Sequence, residues 1–249
     1  MTKRPRNSSV GVIGFGRLGS LLVRYFSRDF EIKVFEPRPR TRQIRALGGH
    51  PASFAEAAGQ DVVIPCVPIG ALEGVLRRLR GSLRDGALVV DVCSVKEQPV
   101  RAMKRLLPRS VDILATHPNF GPDSAADSLR GHKIVVHPVR IGARRYARAR
   151  RLLRAKGLQV VEMSPREHDR RIASSLVLTH FIGRALIACG AKPTGVDTEG
   201  YQRLLRILQT VQNDSWRLFE DMNRYNAYAP PMRRRLLAAL RSVDRKVRP

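Results

Sequence analysis

A chain of 249 residues carries 46 basic side chains against 21 acidic ones, a formal net charge of +25, with 43% of its residues hydrophobic. That length and apolar content suffice for a buried core in one large domain or two modest ones. No uninterrupted apolar run approaches the ~20 residues of a membrane span, the basic start "MTKRPRNSSVGVIGFG" has no apolar leader core, and three scattered cysteines (Cys66, Cys93, Cys189) argue against a disulfide framework or a zinc site. The expectation is a cytoplasmic protein with reduced thiols and no membrane partner.

The charge surplus admits three readings. A basic surface can bind nucleic acid by releasing counterions from its phosphates, or attract a small anionic substrate or cofactor, or reflect composition alone. Only 8 of the 46 basic residues are lysine, and the arginines are spread over most of the chain. Runs such as "RRYARARRLLR" sit where a solvated helix face is expected. Composition is the preferred reading, and nucleic acid is not an expected partner.

From the N-terminus, strand-like and helix-like segments alternate. Strands are expected over 10–13, 31–35, 61–67, 87–92 and 112–115, and helices over 18–26, 41–47, 70–80 and 97–107. Short connections between them imply right-handed βαβ crossovers and a parallel sheet. Strands over 133–137 and 159–162, flanking a basic helix, complete it. After Met163 the pattern is helical only, opening on Ser164 as N-cap with Pro165 at the first helical position and Glu167 three residues after the cap. Breaks fall near 190–195 and 229–231.

The first strand runs into Gly14-Phe15-Gly16-Arg17-Leu18-Gly19, a G-x-G-x-x-G that opens the first helix. Gly14 permits the turn, Gly16 lets backbone approach a pyrophosphate, and Gly19 lets helix pack on strand; the helix N-terminus then faces the phosphates. Glu36, at the end of the second strand, stands where an acid binds the ribose hydroxyls of NAD, while Arg38 and Arg40 could instead pair with the 2′-phosphate of NADP. The reading is an α/β chain. A doubly wound Rossmann-type parallel sheet over 1–163 binds a dinucleotide and is followed by an all-helical C-terminal domain over 164–249.

Ligands of such sheets bind beyond the carboxyl ends of the strands. Three segments should end there: Val67-Pro68, Ser94-Val95-Lys96 and His117-Pro118. A proline holds the residue before it extended. Val67 and Pro68 are placed against the cofactor. A hydroxyl, an ammonium and an imidazole from the other two ends suggest proton handling beside hydride transfer. Taken singly, each has an ordinary structural explanation.

Together "DVCSVK", "THPNFGPDS" and "EHDRRIASSLVLTHFIGRAL" resemble the prephenate/arogenate dehydrogenase family of tyrosine biosynthesis, with likeness from Val10 to about Tyr228. "TEGYQRLLRILQTVQNDSWRLF" is more loosely similar to the family's helical domain. The resemblance implies NAD(P)-dependent oxidative decarboxylation of a cyclohexadienyl carboxylate. His117 would bond the C4 hydroxyl as hydride leaves, Ser94 would bond that histidine or hydroxyl, and Lys96 would lie near the site. His180 matches a histidine of the helical domain, with Arg184 one turn on. His168, ~120° away on an ideal helix, is read as structural. The substrate carboxylate needs an arginine, and the register leaves Arg203 or Arg206. The chain departs from the family at Asn119, commonly methionine, and at Ser175, often glutamine. Asn119 could shift substrate choice toward a 4-amino analogue of prephenate. The family habit and apolar helix faces suggest a homodimer through the helical domain. Two other readings stay open: another hydroxy-acid or imine dehydrogenase of the same plan, and a basic nucleic-acid-binding protein on a degenerate Rossmann fold.

Overall fold

The computed structural model describes residues 9–248. They form two compact units, Met1–Pro165 and Arg166–Pro249.

In the first unit, β1 (Val10–Ile13), α1 (Arg17–Phe26), β2 (Ile32–Phe35), α2 (Thr41–Ala46), β3 (His50–Pro51), α3 (Phe54–Ala58), β4 (Val62–Pro65), α4 (Ile69–Leu79), β5 (Leu88–Asp91), α5 (Glu97–Leu106) and β6 (Asp112–Pro118) follow in order. β7 (Lys133–Arg140), α6 (Ala143–Ala155) and β8 (Gln159–Glu162) complete the unit. The eight strands run β3-β2-β1-β4-β5-β6-β7-β8. This order reverses direction at β1, as in doubly wound sheets that bind ligands at that switch point. Strand β3 and helix α3 were not expected from the pattern, because two residues of strand and five of helix are too short to show a period. Helix α3 is held by a capping box between Ser53 and Glu56.

One pairing departs from the parallel expectation. Strands β6 and β7 are antiparallel, with His117 opposite Val135 and Pro118 opposite Ile134. The connection 119–132 contains no helix to carry the chain back across the sheet, so β7 returns in the opposite direction. Reversal also changes where the next helix goes. Leu21 and Tyr25 of α1 share an apolar cluster with Ile134 of β7, Leu153 of α6 and Leu158, so α6 lies on the α1 face of the sheet. On the opposite face, Val63 and Val89 of β4 and β5 are fully buried.

The second unit is helical throughout: α7 (Pro165–Ile172), a π-helical segment (Ala173–Val177), α8 (Leu178–Ala188), α9 (Glu199–Asn213), α10 (Trp216–Tyr225) and α11 (Ala229–Val247). Thr198 and Ser215 cap α9 and α10 by accepting from the N–H groups of Tyr201 and Leu218. Asn226, with no exposed surface, donates to the Asp169 carbonyl at 2.8 Å and accepts from the Tyr228 N–H at 2.9 Å, fixing the α10–α11 corner on α7. Helices α7, π and α8 are continuous over Pro165–Ala188, 24 residues whose most apolar 18-residue stretch has a mean hydropathy of 1.2. By length and composition alone that helix could cross a membrane, contrary to the expectation from uninterrupted runs. It also carries "PREHDRR" at its start and Arg184 near its end.

Candidate active site

β1 ends at Ile13 and the chain turns through Gly14, whose φ is +104°. A β-carbon there would fall 2.4 Å from the Cys66 carbonyl oxygen, and one on Gly19 2.3 Å from the Gly14 oxygen. Both glycines are required by the protein's own packing. Gly16 is different: a β-carbon there would meet nothing within 4 Å. Gly16 is also the N-cap of α1, with no side chain capping the helix, so first-turn N–H groups face open space suited to a phosphate. Phe15 is buried in the core around β1 and Leu18 packs in the cluster with β7, so neither side chain is offered to a ligand. Arg17 pairs with Asp123 at 2.6 Å.

Glu36 lies against this loop. Its Oε2 accepts the Phe15 N–H at 2.8 Å and its Oε1 accepts Arg38 Nε at 3.0 Å. Partial burial pushes its pKa up, but the Phe15 and Arg38 hydrogen bonds outweigh this and hold it below the ordinary carboxylate value. Arg38 is mostly exposed, and Arg40 is the N-cap of α2. Beside Gly14 opens a cleft of about 390 Å³ whose walls include Phe35, Pro37, Phe54, Val67 and Arg78. The Arg78 guanidinium stacks 3.7 Å over the Phe54 ring. Val67 reaches this cleft, whereas Pro68 caps α4. An open cradle at Gly16, an ionised carboxylate and a flat apolar cleft fit a dinucleotide. Phe54 and Arg78 had no motif to announce them.

The other strand ends lie deeper. β5 and β6 are in register with Asp91 opposite Ala115, so Asp91, Ala115 and His117 point to one face of the sheet. His117 is 5% exposed, and Ser94 is buried with an Oγ that has no hydrogen-bond partner. An unpaired buried hydroxyl is costly unless a ligand completes it. Lys96 differs from the expectation of an ammonium presented to ligand. It is 1% exposed and ion-paired with the fully buried Asp91 carboxylate, because a buried ammonium requires a counter-charge. Asp91 also accepts the Cys93 N–H at 2.8 Å, and its carbonyl accepts the Thr116 hydroxyl at 2.6 Å. One residue therefore ties down both the loop carrying Ser94 and the strand carrying His117. Sequence reasoning passed over Asp91 because its partner is visible only in three dimensions. Asn119 is exposed just beyond β6, its N–H bonded to the Lys133 carbonyl. Burial raises the Cys66 thiol to about 12 and Cys93 well above its ordinary value, so neither serves as a thiolate.

In the helical unit His180 is 3% exposed, with Nε2 3.5 Å from Asp214 Oδ2 and a buried Nδ1 that has no partner. Burial lowers its pKa, the Asp214 charge opposes that, and the Arg184 charge adds to it; the net shift is downward. Arg184 donates to the Val211 and Asp214 carbonyls at 3.2 and 2.5 Å and stacks over Trp216. Arg203 and Arg206 are exposed and both approach Glu199, at 3.0 and 3.5 Å. His168 is buried against Asp169 at 2.7 Å. The π-helical segment between the two histidines has a different turn per residue, so the offset expected for an ideal helix does not hold.

Comparison with known proteins follows this geometry. Residues 40–162 match the family profile described as prephenate dehydrogenase, nucleotide-binding domain, and residues 185–248 match a TYRAAT1-like C-terminal domain. The chain is 35% identical to arogenate dehydrogenase 2, chloroplastic, of Arabidopsis thaliana, over 96% of its own length and 69% of the relative's. The chain belongs to the prephenate/arogenate dehydrogenase family. It is an NAD(P)-dependent oxidoreductase of that family. Arogenate dehydrogenase 1 of the same plant is 33% identical over 94% of this chain, which spans only 38% of that relative. The crystal structure of the prephenate dehydrogenase from A. aeolicus, in complex with hydroxyphenyl propionate and NAD+, shares the fold. Its TM-score is 0.78 at 20% identity, covering 98% of this chain and 91% of that one.

Three outcomes test this site. Gly16→Val is expected to leave thermal stability unchanged while weakening NADH binding about tenfold or more, whereas Gly19→Val lowers stability; calorimetric unfolding and NADH titration read the two effects. Asp91→Asn should destabilise the chain by roughly 3–5 kcal/mol by leaving Lys96 unpaired, and the double variant Asp91→Leu/Lys96→Met should recover the stability but not the turnover. Wild-type kcat in the double variant would show that the pair positions nothing. The sign at His180 follows from its lowered pKa: the unfolded chain takes up a proton near the ordinary histidine value and the folded chain does so only at lower pH. Its contribution to stability is therefore present above that value and declines as pH falls through it. Urea unfolding at pH 7.5 and 5.5 should show this loss, and His180→Gln should reduce it.

Proposed function

We propose that the chain oxidises arogenate to tyrosine with NAD, carrying prephenate as a slower alternative substrate. The observation that carries this reading is the 35% identity, over nearly the whole chain, to a protein named arogenate dehydrogenase. The buried His117 and Ser94 at adjacent strand ends agree with it.

His117 accepts the proton of the substrate's C4 hydroxyl as the C4–H bond breaks. Bound NAD supplies the hydride acceptor. CO₂ leaves C1, the C1–C electron pair enters the ring, and the ring becomes aromatic. Ser94 completes its unmet hydrogen bond to the imidazole or to the same hydroxyl. Arg203 or Arg206 grips a substrate carboxylate, Glu199 being the anion each gives up for it. His180, kept neutral by burial and oriented by Asp214, lends polarity without charge. Lys96 acts through Asp91 on the position of Ser94. The first-turn N–H groups at Gly16, Arg17, Leu18 and Gly19 would hold the pyrophosphate and Glu36 the ribose, while Gly14 and Phe15 shape the loop, their own N–H groups being bonded to the Phe35 carbonyl and to Glu36. NAD is favoured over NADP because the Glu36 carboxylate repels a 2′-phosphate and already occupies Arg38, leaving Arg40 alone on the other side.

A homodimer through the helical unit accounts for its apolar surface. Leu237, Leu240, Val243 and Val247 are exposed along α11, and Ile207 and Trp216 elsewhere in the unit. The apolar window of Pro165–Ala188 is only 28% buried. A second copy covers such faces without placing Arg184 or the charged first turns in lipid.

Steady-state rates with arogenate, prephenate and the 4-amino analogue, each against NAD and NADP, are expected to rank arogenate with NAD first. No reduction of either cofactor by any of the three would overturn the reading. His117→Asn should lower kcat by about 10² or more with substrate KM within a few-fold.

A further inference from the structure

The two faces of the middle strands are covered unequally. Val63 of β4 and Val89 of β5 have no exposed surface, yet their neighbours Val62, Ile64 and Val90, facing the α1–α6 side, remain partly exposed. Parallel strands in the centre of a sheet are ordinarily buried on both faces. The cause is the doubly wound order: α4 and α5 lie on the opposite face, and α6 joins the α1 side only at the far edge, which leaves a gap over β4 and β5. That gap is a groove of about 290 Å³, floored by the strands and walled by α1 and α6. Its lining is aliphatic and aromatic apart from Thr116 and, from α6, Arg145 and Arg148.

Both ends of the groove are tied. Lys156, just after α6, pairs with Asp29 and lies 5.6 Å over the Phe26 ring at the end of α1. Arg145, early in α6, donates to Asp112 and to the Gly86 and Asp61 carbonyls. Between these clasps, Arg148 stands on the rim, exposed, with no ion pair among the described residues. Helix α6 contains no acidic residue that could pair with it.

We infer that this groove binds a free medium-chain carboxylate, its acyl chain lying on Val62, Ile64 and Val90 and its carboxylate paired with Arg148. Shape and charge both select this occupant. A half-enclosed apolar trough with one free cation at the rim suits an apolar body with a single anionic end. A second copy of the chain is a poor fit, because the exposed apolar stripe of α11 is flanked by Arg234, Arg235, Arg241 and Arg245, which would face Arg148 with like charge. The site lies wholly within the first unit and does not depend on the substrate of the enzyme.

Decanoate titrated calorimetrically into the NADH-saturated protein should bind saturably at one site. Arg148→Glu should weaken that binding about tenfold or more, and Ala149→Trp, which fills the groove, should abolish it. Both variants should keep wild-type NADH affinity, which shows that they are folded. Flotation with phosphatidylglycerol vesicles tests the alternative of a membrane surface. Vesicle capture lost in Arg148→Glu, without binding of free decanoate, would overturn the proposal in favour of a membrane. It is overturned as well by failure to bind decanoate, or by decanol binding as tightly as decanoate. Decanoate binding unaffected by Ala149→Trp, or conversion of a wild-type dimer to a monomer by that variant, would overturn it equally.

Discussion

Two opposite charges buried at the end of β5 organise the ends of the central strands. Removing a carboxylate and an ammonium from water is expensive, and the pair is tolerable only when every remaining valence is met. Asp91 meets that condition by engaging Lys96, the Cys93 amide and, through its carbonyl, the Thr116 hydroxyl. The same bonds that satisfy the charges immobilise the backbone on either side of Ser94 and one residue before His117. Stability and precision thus come from one network. An apolar replacement could supply the first without the second.

The glycine loop shows a complementary division of labour. Gly14 and Gly19 are small because the Cys66 and Gly14 carbonyls press against them, whereas Gly16 is small although nothing in the chain presses on it. A residue kept small beside empty space points to something outside the chain. The carboxylate of Glu36 reinforces this by gripping the same loop through Phe15 while remaining ionised. Glycine loop and Glu36 are thereby held together as one piece.

The large positive charge resolves into several local uses. Many arginines satisfy carbonyls or carboxylates at corners of the fold, as Arg140 does at the Val111 and Pro108 carbonyls and Arg145 at the ends of three loops. Others form surface pairs within a helix, such as Arg170 and Arg171 with Glu167, which contribute little individually.

Alternating periodicity was legible in the sequence, and with it the order of the longer strands and helices, because the period of an element depends only on neighbours in the chain. The G-x-G-x-x-G was legible for the same reason: its constraint is local backbone conformation. Strand-end placement of Ser94 and His117 followed from the topology of a parallel sheet. What the tertiary structure decided lay in contacts between distant residues. The direction of β7 depends on pairing with β6 across a helix-free connection, and periodicity does not encode direction. Lys96 looked like a ligand-facing cation until its partner, five residues away around a turn, was seen to be buried with it. The phase between His168 and His180 was misjudged because counting along an ideal helix takes no account of the π-helical segment between them. Sequence therefore determined which residues were available for chemistry; only packing decided which of them are buried with a partner, as Lys96 is, and which keep an unmet bond, as Ser94 does.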